Sequence, residues 1–387
     1  RLAFDEVFQL QLGVVQQKRV WEAREGATYD VPDAWLEQQT SRLPYELTGA
    51  QQKAIHDLRS DLRSGHPMNR LLQGDVGSGK TVVAALGLGM VLEHGKQVAV
   101  LAPTSILAEQ HYRSLTELLA GDGGLLQADD IRLLIGATPD AVKDEIKAGL
   151  ASGAIRMVIG THALLEDPVQ FNDLQMAVID EQHRFGVEQR AALRQKGDNP
   201  HLLVMSATPI PRSLSLTIYG DLDLTVMDEM PPGREPVSTH VLAPRESERA
   251  YRLIEREIAN GHQAFIIYPL VEESETSDGK AAVEEHQRLQ EIVFPTRRVG
   301  LVHGRMTPSE KDEAMTQFRD GEIDILVSTT VIEVGVDVPN ANVMIVEGTN
   351  RFGLAQLHQL RGRVGRGGGQ SFCLLVPGNE EDMANGR

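Results

Sequence analysis

The chain has 387 residues, 41% hydrophobic and 24% charged, which suits two or three folded domains and excludes a disordered, collagenous or coiled-coil architecture. One cysteine, Cys373, excludes a disulfide framework and a cysteine-built zinc site, and no apolar run approaches the ~18 residues of a membrane-spanning helix. The net charge of −17, from 55 acids and 38 bases, excludes a uniformly basic surface, and 4% aromatics argue against a base-stacking platform; a local basic path that grips phosphates remains compatible.

Residues 1–42 read as a helical lead-in and a polar connector. Leu2, Phe4, Val7, Phe8, Leu10, Leu12 and Val15 recur at helical spacing, and Pro32 and the Gln-rich stretch near Gln38 interrupt the pattern. The start, Arg1-Leu2-Ala3-Phe4-Asp5, has neither a signal peptide nor an initiator methionine, so a piece of a longer chain is expected. The first compact unit is expected over 43–229. Its candidate strands are Arg70–Gln73, Gln97–Pro103, Ile131–Ile135, Met157–Gly160, Met176–Asp180 and Leu202–Met205. Short apolar runs alternating with helical stretches predict an α/β unit with a mostly parallel sheet covered on both faces. The Pro-rich segment 230–236 reads as a hinge, and the pattern restarts over 237–387. There the candidate strands are Gln263–Leu270, Val299–His303, Ile323–Ser328, Val343–Glu347 and Ser371–Val376. Thr307, Pro308 and Glu310 predict a capped helix start, Met315 and Phe318 its buried face, and Gly321 its end. The acidic stretch from Glu272 to Lys280 reads as a solvated loop.

Four motifs point to chemistry. Gly74-Asp75-Val76-Gly77-Ser78-Gly79-Lys80-Thr81 has phosphate-loop spacing, follows a strand and opens an apolar helix. The glycines let backbone N–H groups close around phosphates, Lys80 suits the β and γ phosphates, and Thr81 suits Mg²⁺. A strand ending in Asp180-Glu181-Gln182-His183 puts two acids at the carboxyl edge of a sheet, where Asp180 suits Mg²⁺ and Glu181 the attacking water. By itself such a pair is an ordinary solvated turn; the phosphate loop upstream favours the catalytic reading. Ser206-Ala207-Thr208-Pro209 ends the next strand and fits either a turn cap or a relay between nucleotide and polymer. The segment from Gly348 to Phe372 holds four arginines and no acid, a local basic patch from which Arg363 and Arg366 suit the charge on a transferring phosphoryl group. The twelve histidines lack metal-ligand spacing, and Cys373 reads as a core thiol.

In this order the motifs resemble those of superfamily 2 helicases, which implies two tandem RecA-like domains using ATP and Mg²⁺. Asp180-Glu-Gln-His-Arg-Phe-Gly-Val187, Met205-Ser-Ala-Thr-Pro-Ile-Pro-Arg212, Tyr219-Gly-Asp-Leu-Asp223 and Pro231-Pro-Gly-Arg234 narrow the resemblance to the RecG type, bacterial DNA branch-migration helicases. So do His303-Gly-Arg-Met306, the run from Thr329 to Pro339 and the run from Arg351 to Arg366. The resemblance covers essentially the whole chain. It implies that Gln51 reads the adenine and that Gly335 and Asp337 lie near the nucleotide. It further implies that Pro103, Thr104, Thr161, His162, Thr329 and Thr330 touch the DNA backbone, and that His183, Ser206, Thr208 and Gln359 couple the two activities. A monomer in the bacterial cytoplasm, associated with the nucleoid, is implied too, with branched or duplex DNA and single-strand-binding protein as partners. The wedge domain and helical hairpin that flank the motor in this family are expected outside this sequence, and Asn350 stands where relatives carry an acid.

Two other readings fit parts of the pattern. A translocase module that couples transcription to repair is similar, but typically has Glu where this chain has Gln182. A nucleotide-dependent binding switch without turnover conflicts with Glu181 and the two arginines. A transporter-type ATPase lacks support, since no Leu-Ser-Gly-Gly-Gln occurs.

Overall fold

The structure, a computed structural model, describes the chain except residues 1–7, 9–11, 14, 17, 21–22, 122, 181–186, 208–221, 232–235, 270–277, 330–337, 366, 368 and 379–387. It divides into two compact units, Arg1–Pro231 and Pro232–Arg387.

In the first unit seven strands form one sheet: β1 (Asn69–Gly74), β2 (Gln97–Leu101), β3 (Ile131–Leu134), β4 (Met157–Gly160), β5 (Leu174–Ile179), β6 (His201–Ser206) and β7 (Asp223–Met227). Their order is β3-β4-β2-β5-β6-β1-β7, and every pairing is parallel. Helices α1 (Asp33–Ser41), α2 (Gly49–Leu62), α3 (Lys80–Leu92), α4 (Ser105–Ala120), α5 (Asp140–Ser152) and α6 (Val187–Gln195) complete it. Strands covered on both faces favour apolar residues at most positions, with polar ones kept to their ends. Accordingly β2, β4, β5 and β6 are buried from end to end, and Val158, Ala177, Ile179, Leu202 and Val204 share one core with Leu150 and Leu164.

The connector differs from expectation. Its Gln-rich stretch forms α1, which buries Trp35 and Gln39. Ahead of it Tyr29 and Val31 are buried, with the Tyr29 ring edge-on to His94 and His201 at 5.3 and 5.6 Å. The described residues between 8 and 20 are helical, and Phe8, Leu12, Val15 and Val20 are exposed.

The second unit repeats the winding. Strands β8 (Ser238–Val241), β9 (Gln263–Tyr268), β10 (Val299–Val302), β11 (Ile325–Thr329), β12 (Ala341–Glu347) and β13 (Phe372–Val376) lie in the order β10-β11-β9-β12-β13-β8, all parallel. Taken in chain order, β8 to β13 occupy the places of β1 to β6. Helices α7 (Ser247–Ala259), α8 (Asp278–Arg288), α9 (Pro308–Arg319) and α10 (Leu354–Arg361) accompany them, over a core that includes Ile254, Ile266, Phe294, Val327 and Ile345. The expected capping box at Thr307 and Glu310 opens α9, Met315 and Phe318 are buried, and Gly321 takes a positive φ of 80° past its end. The edge strands β7 and β8 are additions to the strands read from sequence. Among the described residues no helix is long and apolar enough to cross a membrane.

Candidate nucleotide and nucleic-acid site

Parallel register brings the motifs of the first unit to one edge. Leu101 of β2 pairs with Gly160 of β4 and Ile179 of β5, and Gln73 of β1 pairs with Ser206 of β6. Pro103-Thr104, Thr161-His162, Asp180, Ser206 and the glycine loop therefore all leave the sheet on its carboxyl side, where ligands bind in such folds.

The loop is shaped for an anion. Gly77 and Gly79 have φ of 82° and 87°, a conformation that side chains disfavour. A Cβ on Gly74 would stand 2.6 Å from Ser78 Oγ, and one on Gly79 would overlap the Gln51 amide. Ser78 Oγ is buried without a hydrogen-bond partner, and Val76 N–H donates to Asp75 Oδ1 at 2.7 Å. Lys80 folds over the loop, its Nζ donating to the carbonyls of Gly74 (2.8 Å) and Asp75 (3.0 Å). The Gly79–Lys80 step starts α3, so the helix N-terminus adds positive potential. A tight glycine turn, an ammonium inside it and an enclosed, unpartnered hydroxyl fit a bound phosphate chain. With Thr81 and Asp180, oxygen donors suited to Mg²⁺ stand at the same edge.

Gln51 is placed differently from the reading that gives it the adenine. It is 1% exposed and its amide works inside the fold. Gln51 Oε1 accepts from Thr48 N–H at 2.8 Å and Nε2 donates to the Ser78 carbonyl at 2.9 Å, so it closes a capping box on α2 and tethers the loop. Beside it Ala50 N–H donates to Glu229 Oε2 at 3.1 Å, which fastens the end of the first unit to the same helix. A cavity of about 710 Å³ adjoins the loop, lined by Gly79, Thr81 and Val82 with Arg42, Tyr45 and Glu117 among others. Burial, then the Glu117 charge, raises the Tyr45 phenol above its ordinary value. Tyr45 and Glu229 were not singled out from sequence. Tyr45 is a lone aromatic in the short run Leu43-Pro-Tyr-Glu-Leu47, and Glu229 shows its partner only once the chain is folded.

Asp180 follows β5 and is 7% exposed. His111 Nε2–H donates to its Oδ2 at 2.7 Å from the buried face of α4. Ser206 is buried. Among the expected DNA contacts, Pro103 and Thr104 are half-buried and His162 is exposed, and Thr104 Oγ1 caps α4 by accepting from Leu107 N–H at 3.3 Å. Thr161 and Thr329 differ from expectation: each is 3% exposed with its hydroxyl enclosed and unpartnered, so neither hydroxyl is presented to a DNA backbone in this conformation. In the second unit Gln359 and Arg363, at the end of α10, are buried. Glu181, His183, Thr208, Thr330, Gly335, Asp337 and Arg366 lie outside the described residues.

Fold and site together define a tandem RecA-like phosphate-loop protein of helicase superfamily 2. Residues 48–217 match the DEAD/DEAH box helicase family and residues 247–368 the helicase conserved C-terminal domain. The chain is 50% identical to the ATP-dependent DNA helicase RecG of Synechocystis over 100% of this chain and 46% of that protein. It is 51% identical to that of Thermotoga maritima over 99% of this chain and 49% of the relative. A solved structure of RecG bound to a three-way DNA junction superposes with a TM-score of 0.85 at 48% identity, covering 100% of this chain and 50% of that one. The DEAD-box helicase Mss116 bound to single-stranded RNA shares the fold, with a TM-score of 0.67 at 20% identity. The chain is similar to RecG-type helicases along its whole length, and it spans about half the length of the curated relatives it matches.

Proposed function

We propose that the chain is the ATP-driven motor of a RecG-type DNA helicase, acting on branched DNA in fork reversal and junction migration. The observation that carries this is the glycine loop with Lys80 folded into it, on a chain half-identical to RecG proteins along its whole length.

Backbone N–H groups of 75–81 surround the phosphates, and Lys80 exchanges the Gly74 and Asp75 carbonyls for phosphate oxygens. Thr81 and Asp180 would hold Mg²⁺. When bound, Mg²⁺ neutralises part of the charge on the phosphates. Glu181 orients a water and takes its proton as the water oxygen attacks the γ phosphorus and the bridging oxygen leaves with ADP. Arg363 and Arg366 offset the charge that builds on the transferring group. Gln51 keeps the loop in shape, and Gly335 and Asp337 lie near the nucleotide. The cavity lined by Tyr45 and Arg42 takes the nucleoside. Pro103, Thr104, Thr161, His162, Thr329 and Thr330 form the path for the DNA backbone, Thr161 and Thr329 through main-chain groups or after a local shift. Ser206, Thr208, His183 and Gln359 relay between the two. The protein works as a monomer in the bacterial cytoplasm near the nucleoid, with single-strand-binding protein as an accessory.

Two substitutions test the assignment. Lys80→Ala should weaken nucleotide binding, while Glu181→Gln should bind normally and lose turnover. Equal loss of affinity in both, measured by nucleotide titration beside single-turnover hydrolysis, would refute the roles.

A further inference from the structure

We infer that His111 is a positioning residue for the metal-holding carboxylate, fixing the orientation of Asp180 from α4. The inference rests on the reading of Asp180 as a Mg²⁺ partner and goes beyond it to a residue outside every motif described above.

The buried stripe of α4 is Leu107, Ala108, His111, Leu115 and Leu119, apolar except at one position. An imidazole on such a stripe is costly unless it finds a partner. Here the partner is the carboxylate at the end of β5: His111 is 6% exposed, Asp180 is 7% exposed, and Nε2 to Oδ2 is 2.7 Å. An ionised carboxylate only accepts, so Nε2 carries the proton and the bond is charge-assisted. Asp180 N–H also donates to the Leu101 carbonyl at 3.0 Å, so the backbone is set on one side of the residue and Oδ2 on the other. With those two points held, the plane of the carboxylate and the direction of Oδ1 are set before any ion arrives. Hydrogen bonds to ligating carboxylates work in this way in metal sites, where removing one typically reduces metal affinity on the order of 10- to 100-fold.

A purely structural bond between α4 and β5 would predict loss of stability and a general weakening of the site. A positioning bond predicts a selective effect on Mg²⁺. The experiment follows binding of a fluorescent ADP analogue to the whole chain, first in excess chelator and then across a Mg²⁺ titration, in the parent chain and in His111→Leu, His111→Asn and His111→Gln. Leu keeps the bulk and removes the donor. Asn keeps polarity but is too short to place an amide at the Nε2 position, and Gln places one close to it. The expected result is unchanged metal-free affinity in all four. The Mg²⁺ midpoint should rise about tenfold or more in the Leu and Asn variants and return to within about threefold in the Gln variant. If Leu does not fold, the Asn–Gln difference decides alone. Midpoints in Asn and Gln that match the parent would overturn the inference while leaving the nucleotide site intact. A parent chain whose nucleotide binding ignores Mg²⁺ would overturn the reading of the site and the inference with it.

Discussion

The carboxyl edges of the two sheets share a strand order and differ in chemistry. In the first unit β1 leads into the glycine loop and is flanked by β6 and β7. Its counterpart β8 is an edge strand, mostly exposed, and runs into Leu242-Ala243-Pro244 with no glycine. The residue after β5 is Asp180, which receives a hydrogen bond from His111. The matching place at the end of β12 is Glu347. There burial, followed by the charge of Glu285, pushes the carboxyl up to about 7. Burial would raise Glu285 too, but hydrogen bonds from Arg288 and Tyr268 outweigh it and hold that carboxyl below its usual range. One winding thus presents donors and a cation to an anion on one edge, and a carboxylate–tyrosine cluster on the other. Topology fixes where a site can be; the residues at the strand ends decide what it binds.

Glycine substitution is the harshest way to break the comparison. Gly79→Ala should lower nucleotide affinity by roughly 100-fold, because a left-handed residue becomes strained and its Cβ meets the Gln51 tether. Gly348, just past β12 on the second sheet, has φ 60° and a Cβ there would meet Pro269 at 2.8 Å. Gly348→Ala should destabilise the fold by about 1–3 kcal/mol and leave nucleotide affinity unchanged. Paired nucleotide titrations and denaturant melts read both effects, and an affinity loss at Gly348 would erase the distinction.

Acidity gives a finer contrast. Glu347 has a raised folded value, so its contribution to stability is complete below about 4.5 and is lost as pH rises through about 7. Protection of the β12 amides, corrected for the intrinsic exchange rate at each pH, should therefore be greater at pH 5.5 than at pH 8, and Glu347→Gln should remove most of that difference. His201 runs the other way. Burial holds it below its ordinary value; its Nδ1 accepts from Met68 N–H at 3.0 Å and its Nε2 meets the Ala27 carbonyl at 2.9 Å. Its contribution is present above about 6.5 and falls away as pH drops below that, so protection of the β6 amides, corrected for the intrinsic exchange rate, should fall on mild acidification. The expected change is the smaller one, and a pH-independent protection factor in β6 would remove His201 from the account.

The sequence made the central strands legible because both of their faces are covered, which forces runs such as Met176-Ala-Val-Ile179. Two of the four edge strands escaped for the same reason reversed. Asp223-Leu-Thr-Val-Met227 and Ser238-Thr-His-Val241 have a partner on one side only and keep polar or exposed positions. The glycine loop was readable because its function is local in sequence. The Gln51 tether to Ser78 and the His111 bond to Asp180 were not, since they join residues 27 and 69 positions apart that meet only after the sheet has formed.

The hydrogen bond between Ala50 N–H and Glu229 has a mechanical side. Glu229 stands just before residues 232–235, where the chain leaves the first unit, and Ala50 adjoins Gln51, which holds the loop through Ser78. A pull on the backbone beyond Pro231 is met at the end of α2 before it can peel β7 from the sheet. The glycine loop is thus two hydrogen bonds from the exit of the chain: tension in the connecting segment and the shape of the phosphate cradle lie on one load path.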